Sequence, residues 1–392
     1  MSSETVPAPR ATAGTARLVH LITPGDHFSP RTGSAVATVV HGLSATTPDD
    51  APRPAVLVAA GTYPERYASA DTVEYPLTAR RSDRLVDGVL GRAAGVRPRA
   101  RRTLRPALAG QRAWEPGVLL AHNLPQAVAL VDTARHAPVL YAHNQLLRTY
   151  TRREAARTLG PAAAIVAVSD HLAGVLAPRL PAGLADRVVV VRNGVDTAAF
   201  AAPERPDDGV LSVVFVGRAV PDKGADVLVD AVVRLARRDV RLEVVGGAGF
   251  APRAPLTPYE RDLRRRAVPA ADRIRFRRFV PRDVVPALLA AADVAVVPSR
   301  WPDPCPLTVL EGMASGAALV ASAVGGIPET AGRAGTLVPA GDVDTLTGVL
   351  AALADDTALL RRRQLAARDH AAARDWAVVR TELDHELASF VP

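Results

Sequence analysis

Short apolar runs alternate with helix-like or polar segments along the whole chain. They fall at Arg17–Thr23, Ala55–Ala60, Val118–Ala121, Val139–Ala142, Ala163–Val168 and Val188–Val191, and the pattern restarts at Leu211–Arg218, Arg241–Val245, Ile274–Val280 and Asp293–Pro298. Buried strands alternating with helices predict an α/β chain with parallel sheets covered by helices on both faces. The first run feeds a loop, PGDHFSPRTGS, and then a helix-like stretch, Ala35–Leu43. A strand, a glycine-containing loop and a helix make a phosphate cradle, with Thr32, Gly33 and Ser34 at the turn; the same arrangement serves equally as a turn that merely starts a helix. In the second half, AVPDKG precedes a helix whose Leu228, Ala231, Val232 and Leu235 share one face.

The segment from Pro298 to Glu329, PSRWPDPCPLTVLEGMASGAALVASAVGGIPE, has the densest chemistry. Asp303 and Glu311 bracket a helix start: Pro306 sits where a first turn tolerates a missing N–H, and Gly316 supplies the left-handed residue that ends a helix. A second strand and the loop GGIPE follow, expected to face the same crevice. Loops at the carboxyl ends of parallel strands are where ligands bind in such sheets. Two strands of the first half end alike, VLLAHN and VLYAHN, which puts His122 with Asn123 and His143 with Asn144 at strand termini. Each histidine is as readily a structural one. His143 is the better crevice candidate because QLLRTYTRRE follows it, and His122, Asn144 and Arg148 are candidates for the acceptor side.

Length and composition narrow the class. A chain of 392 residues exceeds one typical core, so two domains are expected. With 48% apolar and 22% charged residues it is a globular chain, not a disordered one. No apolar run approaches the ~20 residues of a membrane span, and the first sixteen residues lack a signal-peptide core, so a cytoplasmic protein with a loose tail is expected. The lone Cys305 has no disulfide partner and no Cys/His set has zinc spacing, so no metal is expected. The net charge of +8 is scattered, aromatics are 4%, and no nucleic-acid motif is present; nucleic acid is not an expected partner. The one dense basic run, Arg97, Arg99, Arg101, Arg102 and Arg105, reads as a solvated face, with an anionic acceptor or a weak peripheral membrane contact as the alternative. Of 48 Lys and Arg residues a single one is lysine, Lys223. Together with Arg218 it flanks a strand-to-helix loop, and two cations beside a helix start suit a diphosphate. The loop lacks the GxxxxGK[ST] pattern of ordinary nucleotide hydrolases.

The order GR…DKG, then PS…D…E with the carboxylates eight apart, then GGIPE, resembles the retaining GT-B glycosyltransferases of family 4 (glycosyl transferases group 1). The resemblance is strongest over 211–341 and extends weakly across the first half, including NGVD and the strand-end histidine. It implies two Rossmann-like doubly wound domains facing a crevice: an acceptor-binding domain at 17–202 after a disordered tail at 1–16, a nucleotide-sugar-binding domain at 203–372, and a C-terminal helix at 373–392 returning to the first domain. Arg218 and Lys223 would then bind the distal phosphate of the leaving nucleotide, Glu311 the ribose, and Asp303 the transferred sugar. Gly217 and the backbone near Pro306, Leu307 and Thr308 would contact the donor, Gly33 would allow close approach of the first domain, and His143 would match the family's crevice histidine. The implied activity is metal-independent transfer of a hexose, or an amino or deoxy sugar, from a nucleotide sugar, UDP-linked in the favoured reading with GDP or ADP left open, with no other cofactor, to a small-molecule or glycolipid acceptor.

Two positions depart from the family pattern. Asp303 stands where Glu is usual, and Cys305-Pro306 where a Phe-Gly pair is usual, so that Pro306 withholds an N–H. Cys305 reads as a small packing residue. A phosphorylase or sugar-nucleotide epimerase on the same fold, and a non-catalytic binding protein on a degenerate one, are the competing readings. Acceptor, oligomeric state and pathway do not follow from the sequence.

Overall fold

The computed structural model describes residues 16–77, 83–201, 208–251 and 253–390. Residues 1–15 of the expected tail lie outside this set, as do residues 202–207, where the boundary between the domains was expected.

Two all-parallel sheets organise the chain. The first has seven strands: β1 (Arg17–Leu21), β2 (Ala55–Ala59), β3 (Asp71–Tyr75), β4 (Gly117–His122), β5 (His136–Ala142), β6 (Ala164–Ala167) and β7 (Val188–Val190), in the order β3-β2-β1-β4-β5-β6-β7. The second has six: β8 (Leu211–Val216), β9 (Val240–Val245), β10 (Ile274–Arg277), β11 (Val294–Val297), β12 (Ala318–Ser322) and β13 (Thr336–Val338), in the order β10-β9-β8-β11-β12-β13. Each sheet reverses its winding direction beside its first strand, between β1 and β4 and between β8 and β11. The loops there diverge and open a crevice.

The apolar runs found in the sequence are the central strands because helices cover both sides of them; β2, β4, β5, β6, β11 and β12 are buried at every position. The edge strand β3, DTVEY, escaped the pattern for the opposite reason. It is exposed at its first four positions, and its Asp71 pairs with Arg17 and Arg53. β13 is three residues long and too short to show any period.

The last helix, Trp376–Leu387, packs on the first domain. Trp376, Val379, Leu383 and Leu387 join the core of the seven-stranded sheet. The buried Arg380 donates to the carbonyl of Leu43 and the hydroxyl of Thr47, at the end of the Ala35–Ala45 helix. Gly42 of that helix is required by packing: a Cβ there would lie 2.3 Å from the Trp376 ring. The chain crosses back at residues 374–376, where Val195 N–H donates to Arg374 O at 3.0 Å and Asp375 accepts from the backbone and hydroxyl of Thr197 while capping the helix.

A second link between the domains is ionic. Glu329 of GGIPE accepts from the backbone N–H groups of Asp170 and His171, both at 2.7 Å, at the start of the Asp170–Leu176 helix of the first domain. Arg192 pairs with Asp170 and lies 3.6 Å from Glu329. This corrects the expectation that GGIPE faces the crevice. Gly325 and Gly326 instead press against the backbone of Pro302–Pro304, where a Cβ on Gly326 would sit 1.8 Å from a carbonyl oxygen, and the carboxylate turns to the other domain.

Among the described residues no helix is long and apolar enough to cross a membrane. The basic run is also less of a surface than its composition implied. Arg97 pairs with the fully buried Glu154 and stacks over the Tyr150 ring at 3.9 Å, and Arg101 donates to Gln126.

Trp376→Ala is expected to lower stability by about 3–5 kcal/mol, the usual result of deleting a buried aromatic, read as a drop in the urea midpoint of the first domain; an unchanged midpoint would show that the returning helix contributes nothing to that core.

Candidate functional site

A cleft of about 920 Å³ runs between the carboxyl ends of the two sheets. Thr23 follows β1, Asn123 follows β4, Gly217 and Arg218 follow β8, and Ser299 follows β11, so the cleft joins the two points where the sheets reverse direction.

Its cationic wall is built by the loop after β8. Pro221–Lys223 forms a single 3-10 turn ended by Gly224 at φ +68, a conformation that favours glycine. Glycine is needed twice over, since a Cβ at 224 would lie 1.9 Å from the Pro298 carbonyl. That close approach, with Asp222 O accepting from Arg300 N at 2.9 Å and Trp301 N at 3.2 Å, locks the Lys223 loop to the segment carrying Asp303. Lys223 forms an ion pair with Asp303. Arg218 is exposed at the cleft and has no ion pair among the described residues.

The opposite feature is Glu311, in the Leu307–Ala314 helix and 1% exposed. One oxygen pairs with Arg282; the other, Oε2, is buried with no partner among the described residues. A buried carboxylate oxygen left unpaired is costly, so one that lines a ligand-sized cleft marks a place where a hydroxyl or N–H is received. Arg282 escaped the sequence reading because it lies on the short turn after β10 with no flanking motif; its N–H also donates to Pro30 O, 3.0 Å away, in the first domain. Asp26, whose carboxyl is pushed above its usual range by burial despite the Ser34 and Thr23 hydroxyls, and Asn193 of NGVD also line the cleft and were not singled out. Asn193 donates to Cys305 O at 3.0 Å and keeps an unpartnered buried oxygen.

Most of the remaining sequence candidates meet here. Gly33, Asp303, Pro306, Leu307, Thr308, His143 and Asn144 all line the cleft. Gly33 faces the second domain; a Cβ there would lie 3.5 Å from the Phe250 ring and 3.8 Å from the Phe279 ring. Ser34 is occupied as the N-cap of the Ala35–Ala45 helix. Cys305 is a buried packing residue 3.5 Å from the Thr330 hydroxyl, and burial pushes its thiol up. Three candidates do not line the cleft, the first being Thr32, which is buried with its hydroxyl donating to Ser29 O. His122 is completely buried, both ring nitrogens engaged by His20 and His143, so it supports the cleft wall and cannot touch an acceptor. Arg148 is exposed and lies away from the lining residues.

Comparison with known proteins agrees with this geometry. The family described as glycosyl transferases group 1 matches residues 211–356. Alpha-maltose-1-phosphate synthase of Mycolicibacterium smegmatis is 38% identical over 193 residues, covering 45% of this chain and 48% of that protein. The GDP-mannose-dependent alpha-(1-6)-phosphatidylinositol monomannoside mannosyltransferase of the same organism is 33% identical over 250 residues, covering 58% and 56%. The chain thus spans about half the length of these curated relatives. Anabaena HepE, solved in complex with UDP and glucose, superposes with a TM-score of 0.72 at 19% identity, covering 95% of this chain and 100% of HepE. WaaG, a glycosyltransferase involved in lipopolysaccharide biosynthesis, gives 0.64 at 15% identity over 94% and 98%. With two parallel-sheet domains that superpose on these structures and a family match over the second, the chain has the GT-B architecture and carries a glycosyl transferases group 1 domain.

Proposed function

We propose that the chain is a retaining glycosyltransferase, cytoplasmic and metal-independent, that moves a hexose or an amino or deoxy sugar from a UDP-sugar to a small-molecule or glycolipid acceptor. The observation that carries this reading is the unpartnered, buried Oε2 of Glu311 in a cleft that also holds Arg218 and Lys223. A ligand with vicinal hydroxyls in the middle and a diphosphate beyond them satisfies both features, and a nucleotide sugar has that form.

In this reading Glu311 receives the ribose hydroxyls, aimed by its ion pair with Arg282. The base enters the side pocket formed by Phe250 and Phe279, whose ring centroids are 5.6 Å apart, beside the bare backbone of Gly246 and Gly247. Arg218 and Lys223 take the diphosphate, and Lys223 exchanges its Asp303 partner for phosphate oxygen. Asp303 is thereby released to accept from hydroxyls of the transferred sugar, next to Leu307 and Thr308. As the sugar–phosphate bond breaks, negative charge grows on the leaving diphosphate. Fixed cations aimed at that charge lower the barrier without reorganising. The acceptor attacks from the face the phosphate leaves, and its hydroxyl proton passes to a phosphate oxygen. The names of similar proteins mention both GDP-mannose and UDP with glucose, so the base is chosen by experiment.

Thermal unfolding with UDP, GDP, ADP and their sugars is expected to show stabilisation by one nucleotide series, about 2.7 kcal/mol at a hundredfold excess over Kd; no shift with any of them overturns the reading, and a shift without product formation leaves the non-catalytic binding protein. Lys223→Ala is expected to cut kcat by roughly 10²–10³, the loss seen when one preorganised charge-stabilising donor is removed, with thermal stability little changed; undiminished turnover would show the lysine to be incidental.

A further inference from the structure

Three histidines form a continuous chain from the core of the first sheet to the cleft. His20 lies on β1, His122 ends β4 and His143 follows β5. The strand register pairs His20 with Leu120 and His122 with Tyr141, so each histidine stands two positions nearer the carboxyl ends than the last, and all three share one face. Their rings stack with centroids 5.2 Å apart at both steps. His20 Nδ1 is 2.9 Å from His122 Nε2, and His122 Nδ1 is 2.8 Å from His143 Nε2. The outer ring is held by its own backbone: His143 N–H donates to Asn123 Oδ1 at 2.8 Å, from an asparagine in the left-handed conformation at φ 56.

Burial keeps the rings neutral. It pulls His143 to about 3, pulls His20 to about 3 together with the charge of Arg380, and takes His122 well below its ordinary value along with its two neighbours. A neutral imidazole carries one N–H. Three protons must then supply two hydrogen bonds, and only two arrangements do so. In the first, all three rings are protonated on Nδ1, the bonds run from His20 through His122 to His143, and His143 Nδ1–H is left over at the cleft. In the second, all three are protonated on Nε2, the bonds run the other way, and the N–H left over is on His20 Nε2.

The inner end decides between them. His20 Nε2 is buried and has no hydrogen-bond partner among the described residues. An N–H there would be a buried donor without an acceptor, which folded proteins avoid more strictly than an unfilled acceptor, and its positive end would face the field of Arg380. A lone pair at the same atom is favoured by that field. We infer that His20 and His122 are positioning residues that fix His143 as a hydrogen-bond donor, through Nδ1–H, at the wall of the cleft.

The functional part of this inference rests on the transferase reading above. His143 then has no nitrogen available as a base, because Nε2 is filled by the His122 N–H and Nδ1 already holds its proton. It donates to an oxygen of the transferred sugar instead. The acceptor O–H bond breaks as the new sugar–oxygen bond forms and the sugar–phosphate bond opens, and the proton ends on the leaving phosphate.

Long-range ¹⁵N–¹H correlation spectra of the histidine-labelled protein test the arrangement without any substrate. His20, His122 and His143 are expected to show protonated Nδ1 and bare Nε2; a protonated Nε2 on His143 overturns the inference. In His122→Phe, which keeps the ring and its stacking on Tyr141, His143 is expected to lose the enforced Nδ1–H form. In His122→Asn, whose amide N–H stands where Nδ1–H stood, that form is expected to return. On turnover, His122→Phe is expected to lower kcat about tenfold, the loss of one well-placed hydrogen bond, with a smaller change in donor KM and partial recovery in His122→Asn. Equal kcat in all three proteins overturns the positioning role. Correct tautomers in a protein that turns over no nucleotide sugar overturn the transferase reading and support the assignment of the chain.

Discussion

The cleft exists because the carboxyl ends of two separate sheets are held face to face, and one carboxylate contributes much of that constraint. Glu329, in the second domain, binds two backbone N–H groups at the start of a helix in the first, with Arg192 alongside. Free N–H groups and the positive end of a helix dipole are a natural seat for an anion. Here the seat is filled by the protein itself, and so it fixes domain orientation. The crossing of the chain at 374–376 and the packing of Trp376 on Gly42 supply the apolar counterpart. The cleft's walls come from different domains, and these links act together with Arg282 N–H on Pro30 O and Asn193 on Cys305 O.

Within the cleft, much of the charge is carried by two ion pairs and one further cation. Lys223 with Asp303 and Arg282 with Glu311 bring together two cations and two anions, and Arg218 remains unpaired among the described residues. The two pairs differ in kind. Glu311 is nearly inaccessible, so its pair with Arg282 is enclosed, and removing the cation would leave the buried carboxylate without its ionic partner. Lys223 and Asp303 are more open, at 26% and 15% exposure of their side chains, and an exchange of partners there is cheap. The first pair is therefore a fixed feature of the site and the second a responsive one.

Much of the fold was legible because buried parallel strands must be apolar along their whole length. Runs such as Val118–Ala121 and Asp293–Pro298 announce themselves for that reason, and the alternation with helices carries the α/β class. The edge strand β3 obeys no such rule, because its polar side chains face solvent. Among site residues, the DKG loop was readable because the sole lysine stands in it, across a strand-to-helix loop from Arg218; only the structure shows that its left-handed Gly224 packs against the Pro298 carbonyl. Arg282 and Asp26 were not readable. Each is one charged residue in a loop with no motif around it: Arg282 takes its place from Glu311, 29 positions along, and from Pro30 O in the first domain, while Asp26 is set by burial beside the Ser34 hydroxyl.

The two AHN strand ends show where the division falls. The sequence determined that His122 and His143 stand at the ends of buried parallel strands, because period and apolar length decide which residues leave the core. It could not determine that they occupy different layers. That depends on the register between β4 and β5, which sets His122 opposite Tyr141 and carries His143 two positions further out, and on β1, whose unremarked His20 completes the chain. Register and domain orientation are relations between segments distant in sequence, set by the sum of core packing and by contacts such as Glu329 with the 170–176 helix. The sequence favoured His143 for the crevice through the segment that follows it; the register is the physical reason that it lines the cleft while His122 supports it.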